Sequence, residues 1–225
     1  MQVYFVRHGQ SILNAEGKHQ FPETPLSELG LQQVQAVAER FSSIEIDALW
    51  SSPMQRAKQT AQAIATVKGM SVIEEPLLAE IRRPSFVQGK GHDDEQVAEY
   101  HQGMHEHVFD DDWKMGDAES FLDPRHRAVA VLQKLESLEL SSLAVVSHGI
   151  FIVHLLSAMM FGESLTKRTF IPIVSFTNLS NTGLTVCEWN SQKNPNHWRL
   201  KTLNDDAHLG EVKSGLIGMN VGLGE

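Results

Sequence analysis

The chain has 225 residues, is 41% hydrophobic and carries a formal net charge of −9, which suits one globular α/β domain with a small insert and a full core. The acidic balance excludes a nucleic-acid backbone as the main partner, because such binders carry an excess of Lys and Arg; a small anionic substrate held by a local cluster of cations stays open. Cys187 is the single cysteine, so an intrachain disulfide is excluded and a reducing compartment is expected.

The amino terminus runs straight into an apolar stretch with no basic leader, and no apolar run approaches the roughly 18 residues of a membrane span, so the expectation is a cytoplasmic protein without membrane contact. Residues 2–6 (Gln-Val-Tyr-Phe-Val) read as a buried strand. A polar loop over 9–25 contains Pro22 and Pro25. Residues 27–42 read as a helix with Ser27 as N-cap and Val34, Val37, Ala38 and Phe41 on one face. Ile46 to Ser51 reads as a second strand, and Pro53 opens a second helix, 53–68, that ends near Gly69. Residues 71–74 make a third short strand. The rhythm then breaks over 77–118, which carries Pro84, Gly89, Gly91, several histidines and Asp110-Asp111-Asp112; this is expected to be an insertion, a small lid over the strand ends.

Regularity returns with a helix at about 120–138, a fourth strand at Leu143–Val146, an apolar helix at 150–161 and two late strands, 183–189 and 197–203, expected at the sheet edge. From Asp205 onward a loosely held tail is expected. Strand–helix alternation predicts a single domain spanning 1–225, a three-layer α/β/α sandwich with a mostly parallel central sheet.

Chemistry-bearing residues gather at the carboxyl ends of the strands, where open α/β sheets bind ligands. Arg7-His8-Gly9 closes the first strand. An arginine there can hold an oxyanion in a fork of donors, and a histidine can attack or shuttle a proton. Ser147-His148-Gly149 closes the fourth strand in the same way, and the amides opening the next helix favour an anion. Arg56 adds a cation just past the second strand, and Glu80, after the third, offers a carboxylic acid for a leaving group. His101 and His105 lie one helical turn apart, with His107 nearby, but no local cysteine or spaced carboxylate completes a closed metal site, so no metal is expected.

In this order and spacing the residues resemble the histidine phosphatase superfamily, which includes the cofactor-dependent phosphoglycerate mutases. The resemblance runs from residue 3 to about 161. It is carried by Val-Arg-His-Gly-Gln-Ser with Asn14, Pro-Leu-Ser-Glu-Leu-Gly at 25–30, Ser-Ser-Pro-Met-Gln-Arg-Ala-Lys-Gln-Thr-Ala at 51–61, Glu80, Glu119-Ser120 and Val-Ser-His-Gly at 146–149. A weaker echo follows at Leu203-Asn204 and His208-Leu209. The resemblance implies that His8 takes up the phosphoryl group, that Arg7, Arg56 and His148 clamp its oxygens, and that Glu80 protonates the leaving alkoxide and then activates water. It aligns Asn14 with a phosphate contact and Gln20, more loosely, with a substrate contact.

A phosphomonoester dianion repels anionic nucleophiles, so a neutral imidazole suits the attack, and adjacent arginines disfavour imidazolium. With side chains as the cations, no cofactor or metal is called for. The implied activity is a metal-independent phosphomonoester hydrolase acting through phosphohistidine on a small phosphorylated metabolite. Two alternatives stand beside it: mutase-type phosphoryl transfer, and a non-catalytic relative that binds phospho-ligands or protein partners. The loop at 17–25 lacks the tryptophan-bearing pattern associated with the mutases, and the region after Glu80 lacks their long basic segment; both favour hydrolysis. The oligomeric state and the particular ester are not legible.

Overall fold

Alternating side chains along the strands feed two separate helical layers. In the computed structural model, which describes residues 1–192, 198–210 and 212, the strands are β1 (Gln2–Arg7), β2 (Ala48–Ser51), β3 (Ile73–Glu74), β4 (Ser142–Ser147), β5 (Leu184–Trp189) and β6 (Trp198–Asp205). They form one sheet in the order β3-β2-β4-β1-β5-β6. β1 to β4 are mutually parallel, β5 is antiparallel to β1, and β6 is antiparallel to β5. The expected three-layer, mostly parallel α/β architecture is therefore present.

Val3, Phe5, Leu143 and Val145 point to one face. There they meet Leu132 and Leu135 of α5 (Leu122–Glu136), Phe151 and Leu155 of α6 (Gly149–Phe161), and Phe170 and Val174 of α7 (Lys167–Phe176). Val6, Ala144 and Val146 point to the other face, against Val34, Val37 and Phe41 of α2 (Glu28–Phe41) and Ala57, Ala61 and Ile64 of α3 (Gln55–Lys68). Each fully buried Leu, Val or Phe stabilises this packing by about 1.5–3 kcal/mol. The insert has its own small cluster: Val87, Val97 and Tyr100, with Phe86, Met104 and Trp113 around them, built on α4 (Glu95–Glu106).

Several expectations need correction. The 9–25 loop contains a one-turn helix, α1 (Ile12–Ala15), because Ser11 and Asn14 form a reciprocal capping box. The N-cap of α3 is Met54, so Pro53 lies before the helix rather than in its first turn. Helix α7 is absent from the sequence reading, and Pro172 inside it explains why. β5 lies between β1 and β6, so of the two late strands only β6 is at an edge. The tail is not loose at its start: Asp205 pairs with Arg40 at 2.5 Å and Leu209 is buried. The rest of that expectation falls outside the described residues.

One core group makes stability depend on pH. His154 of α6 is buried, its ring 4.0 Å from that of Phe170, and burial pushes its pKa down from 6.5 to about 4. The folded pKa lies below the unfolded one, so the stability it contributes is full above about pH 6.5 and is lost as pH falls toward 4. Between pH 6.5 and 5 this amounts to on the order of 2 kcal/mol. Thermal denaturation across that range should show a falling Tm in the natural protein and a shallower fall in His154→Leu; equal slopes would refute the assignment.

Candidate active site

The register of two parallel strands brings the principal residues together. β1 pairs with β4 so that Arg7 lies opposite Ser147, and the amide of His8 donates to the Ser147 carbonyl at 3.0 Å. His8 and His148 therefore leave adjacent strand ends side by side, with ring centroids 5.0 Å apart. β2 pairs with the other edge of β4, and the Ser52 amide continues that ladder to the Val146 carbonyl at 2.9 Å. This sets the start of α3, and so Arg56, over the same strand ends.

Close packing fixes the turn after β1. A Cβ at Gly9 would meet Val34 Cγ1 at 2.8 Å and the Gly30 carbonyl at 2.9 Å. A Cβ at Gly30 would overlap the carbonyl oxygen of Gln10. The Leu-Gly that closes the 25–30 motif is thus the far side of the Arg-His-Gly turn. Ser27 completes the joint: its hydroxyl caps α2 at the Gly30 amide (3.0 Å) and donates to Gln10 Oε1 (2.8 Å). Thr60 ties in the neighbouring helix, accepting from the Gly9 amide at 3.1 Å and donating to the Arg56 carbonyl at 2.8 Å.

The contacts of His8 define its tautomer. Nδ1 lies 2.7 Å from the Gly9 carbonyl oxygen, which can only accept, so Nδ1 carries the proton. Nε2 is left with its lone pair, which accepts from Arg56 Nε at 3.1 Å. Burial, then the charges of Arg56 and Arg7, hold the His8 pKa well below 6.5. His148 is held down in the same way, by burial first and then by Arg56. It sits behind His8 with Nε2 2.7 Å from the Ser52 hydroxyl. The imidazole aimed at the hollow is therefore neutral and nucleophilic at physiological pH.

Arg7 and Arg56 are both buried, and neither forms an ion pair among the described residues. Burial lowers both, Arg56 to about 10, so both stay charged at neutral pH. Arg7 Nε and His148 Nδ1 are buried without a hydrogen-bond partner. An unpartnered guanidinium donor beside two buried cations that make no direct ion pair suits an oxyanion.

Glu80 reaches the site from the segment after β3. Its carboxylate accepts from the amides of Ile81 (3.0 Å), Phe151 (3.1 Å) and Ile150 (3.4 Å), which places it at the N-terminus of α6. Arg127 braces this segment, donating to the Leu77 and Ala79 carbonyls at 2.9 and 2.7 Å. The same guanidinium holds both oxygens of Glu119, at 3.1 and 3.0 Å. Arg7, His8, Asn14, Gln20, Arg56, Glu80, Arg82 and Arg83 all line one hollow of roughly 440 Å³. Asn14 spends its carbonyl on the Ser11 amide (3.4 Å), and Gln20 accepts from the Ser11 hydroxyl (2.6 Å).

Arg7, His8, Arg56, Glu80, Asn14 and Gln20 thus line this hollow, with His148 buried behind His8, whereas His101, His105 and His107 do not line it. The sequence reading missed Ser52, Thr60, Arg127 and Asn181. Asn181 Nδ2 donates to the His8 carbonyl at 2.9 Å, and the adjacent Thr182 amide donates to the Arg7 carbonyl at 2.9 Å. Only the Ser-Ser pair ending β2 gave any local hint.

The model of the histidine phosphatase superfamily (branch 1) matches residues 3–206. The chain belongs to that superfamily. The protein named probable phosphoglycerate mutase GpmB of Proteus mirabilis (strain HI4320) is 29% identical over 220 residues, covering 94% of this chain and 96% of that protein. Among solved structures, a native mycobacterial glucosyl-3-phosphoglycerate phosphatase superposes with a TM-score of 0.74 at 25% identity, covering 91% of this chain and 98% of that one. The alpha-ribazole phosphatase from Shigella flexneri shares the fold with a TM-score of 0.75 at 21% identity, covering 92% and 97%. The chain is an enzyme of the phosphatase and phosphoglycerate mutase-like superfamily, and among the described residues no helix is long and apolar enough to cross a membrane.

The His8 geometry predicts a spectroscopic signature. Nitrogen-15 NMR of the imidazole should show the Nδ1–H tautomer and no protonation until well below pH 6.5. Arg56→Gln removes one of the two charges that lower this ring, so it should bring the midpoint back up toward 6.5; an unchanged midpoint would show that the guanidinium does not control this ring.

Proposed function

We propose that the protein is a phosphomonoester hydrolase that works through a phosphohistidine on His8. The observation that carries this reading is the unprotonated Nε2 of His8, its lone pair held by Arg56 Nε at 3.1 Å, in a hollow lined by two buried guanidinium groups. A phosphoryl dianion entering there takes over the Arg56 Nε donor and draws in Arg7 Nε and His148 Nδ1. Asn14 and Gln20 border the remainder of the substrate.

His8 Nε2 attacks phosphorus, forming the P–N bond as the P–O bond to the leaving alkoxide breaks, and Glu80 in its protonated form delivers a proton to that oxygen. The Gly9 carbonyl, bonded to Nδ1–H, stabilises the positive charge that the ring acquires. Water then attacks phosphorus, its proton passes to the Glu80 carboxylate, and the P–N bond breaks to release inorganic phosphate and neutral His8. Glu119 is the other carboxylate in the hollow, but Arg127 grips both of its oxygens, so Glu80 is the better proton carrier. The arginines supply the positive charge, and no step calls for a metal ion.

The substrate class follows from a second cavity of roughly 160 Å³ that adjoins the first. The two share Ile81, Arg83, Glu119 and Ile150, and the annex is lined by Tyr100, Met104, Trp113, Phe121 and Phe170. Small phosphorylated metabolites whose alcohol carries an apolar or aromatic body fit this pair of compartments. The likeness to a protein named as a mutase supports a second reading, in which the phosphoryl group returns to the substrate.

With purified protein, His8→Ala should abolish both turnover of an aryl phosphate and the acid-labile, alkali-stable phosphate trapped on the chain. Glu80→Gln should slow alkyl phosphates about 10²–10⁴-fold but p-nitrophenyl phosphate far less, because that leaving group needs little protonation. Equal losses on both would remove Glu80 from the acid role. Isomerisation of a phosphoglycerate primed with a bisphosphate, without phosphate release, would establish the mutase reading instead.

A further inference from the structure

We propose that His19, His92 and His101 form a divalent transition-metal site of the zinc class, which clips the insert to the loop after β1 at the mouth of the hollow. One ligand atom from each ring lies within 4.8 Å of the others. The ring centroids make a nearly equilateral triangle, 5.7 Å from His19 to His92, 5.9 Å from His19 to His101 and 5.7 Å from His92 to His101. Of the histidines whose spacing along one helix was considered, only His101 takes part. His107 instead stacks on Trp113 at 5.1 Å.

The backbone builds the triangle from three segments. Lys18 bridges Gly91, the His19 amide donates to the Lys90 carbonyl at 2.9 Å, and the Gly89 amide donates to the His19 carbonyl at 2.8 Å. This short antiparallel stitch fixes His19 beside His92, and α4 adds His101.

Three observations point to a bound ion. His19 is only 8% exposed, and its Nε2 is buried with no hydrogen-bond partner. His101 Nε2 is buried without a partner as well. A buried, unpaired ring nitrogen loses its hydration without compensation unless something coordinates it. Third, the ligand atoms of all three rings converge within 4.8 Å of one another, the kind of approach that a shared ion requires.

Tetrahedral zinc with bonds of about 2.0–2.1 Å needs nitrogens roughly 3.4 Å apart, so the rings must close by less than about 1.5 Å. His92 is exposed and free to make that movement. Three imidazoles leave a fourth position for water or a substrate oxygen. Arg83 opposes a cation here, and an anionic ligand in the hollow that pairs with Arg83 would offset this. His19 and His92 themselves line the hollow, so the ion would stand in its wall, outside the His8 chemistry.

The test uses full-length protein stripped with EDTA and titrated with Co²⁺ and Zn²⁺. We expect one equivalent of Co²⁺ to bind with the intense visible absorption of a tetrahedral site, and Zn²⁺ to displace it and raise the Tm. His92→Ala and His101→Ala should each weaken binding by roughly 100-fold or more and lose the Tm shift. His105→Ala and His8→Ala should leave both intact. Absence of saturable binding, survival of binding in the His92 and His101 variants, or its loss in His8→Ala would each overturn the proposal. None of these readouts depends on turnover, so the site and the hydrolase reading stand or fall separately.

Discussion

Two guanidinium groups buried together without a direct ion pair, with only the nearby Glu80 carboxylate to favour their charge, are the constraint on which the rest of the structure depends. Like charges repel, and burial removes the water that would screen them. Left to itself, such a pair would swing out to solvent. Here Arg7 is pinned by the sheet and by a hydrogen bond to the Leu179 carbonyl, while Arg56 is held between His8 and the Phe21 carbonyl. Both packed layers supply the stability that keeps the arrangement closed, and the unfavourable charge balance is relieved only when an anion enters. The same fields that disfavour the empty hollow keep His8 unprotonated, so affinity for phosphate and nucleophilicity have one physical source.

Precision at this point comes from the sheet rather than from the loops. His8, His148 and Arg56 each follow a strand within a few residues, and the strands concerned, β1, β4 and β2, are hydrogen-bonded neighbours. A slip of one residue between β1 and β4 would turn His8 away from His148 and expose the Val3–Phe5 face. Core packing that forbids the slip therefore also sets the distance between the rings. Thr60 and Asn181 lock the turn from opposite sides, one from α3 and the other from the segment before β5.

The strand ends were legible in the sequence because each carries its chemistry locally: Arg7-His8-Gly9 and Ser147-His148-Gly149 follow apolar runs that read as strands without help. Contacts between distant segments were not. Asn181 is 173 residues from His8 in the chain, and nothing in its neighbourhood marks it. Arg127 lies on a helix whose periodicity draws the eye to Ala128, Leu132 and Leu135 instead. Pro172 hid α7, which starts on a Thr166–Thr169 capping box and tolerates the proline within its ten residues. The mixed burial of β5 made an interior strand resemble an edge. The histidine triangle was unreadable because its three corners come from a loop, a turn and a helix, whereas spacing arguments see only residues on one element.

Chemistry and selection are housed differently. The groups around His8 stand on the two-layer core, so they share its rigidity. Arg82, Arg83, Gln88 and His92, together with Tyr100 and Trp113 of the annex wall, belong to an insert whose own hydrophobic cluster is small. A segment with few buried apolar contacts opens more readily than a packed core. The insert's contacts with the core include Glu119, which accepts from the Arg82 amide and pairs with Arg127, the Lys18–Gly91 bridge beside the imidazole triangle, and the Lys167 amide, which donates to Asp111. Sequence changes in the insert can then reshape the ester that is accepted while leaving the phosphoryl site untouched, provided those three attachments hold. The first of them also braces the segment that carries Glu80, so the insert cannot drift without disturbing that carboxylate, and in the proposed mechanism substrate fit is coupled to proton transfer through a single guanidinium.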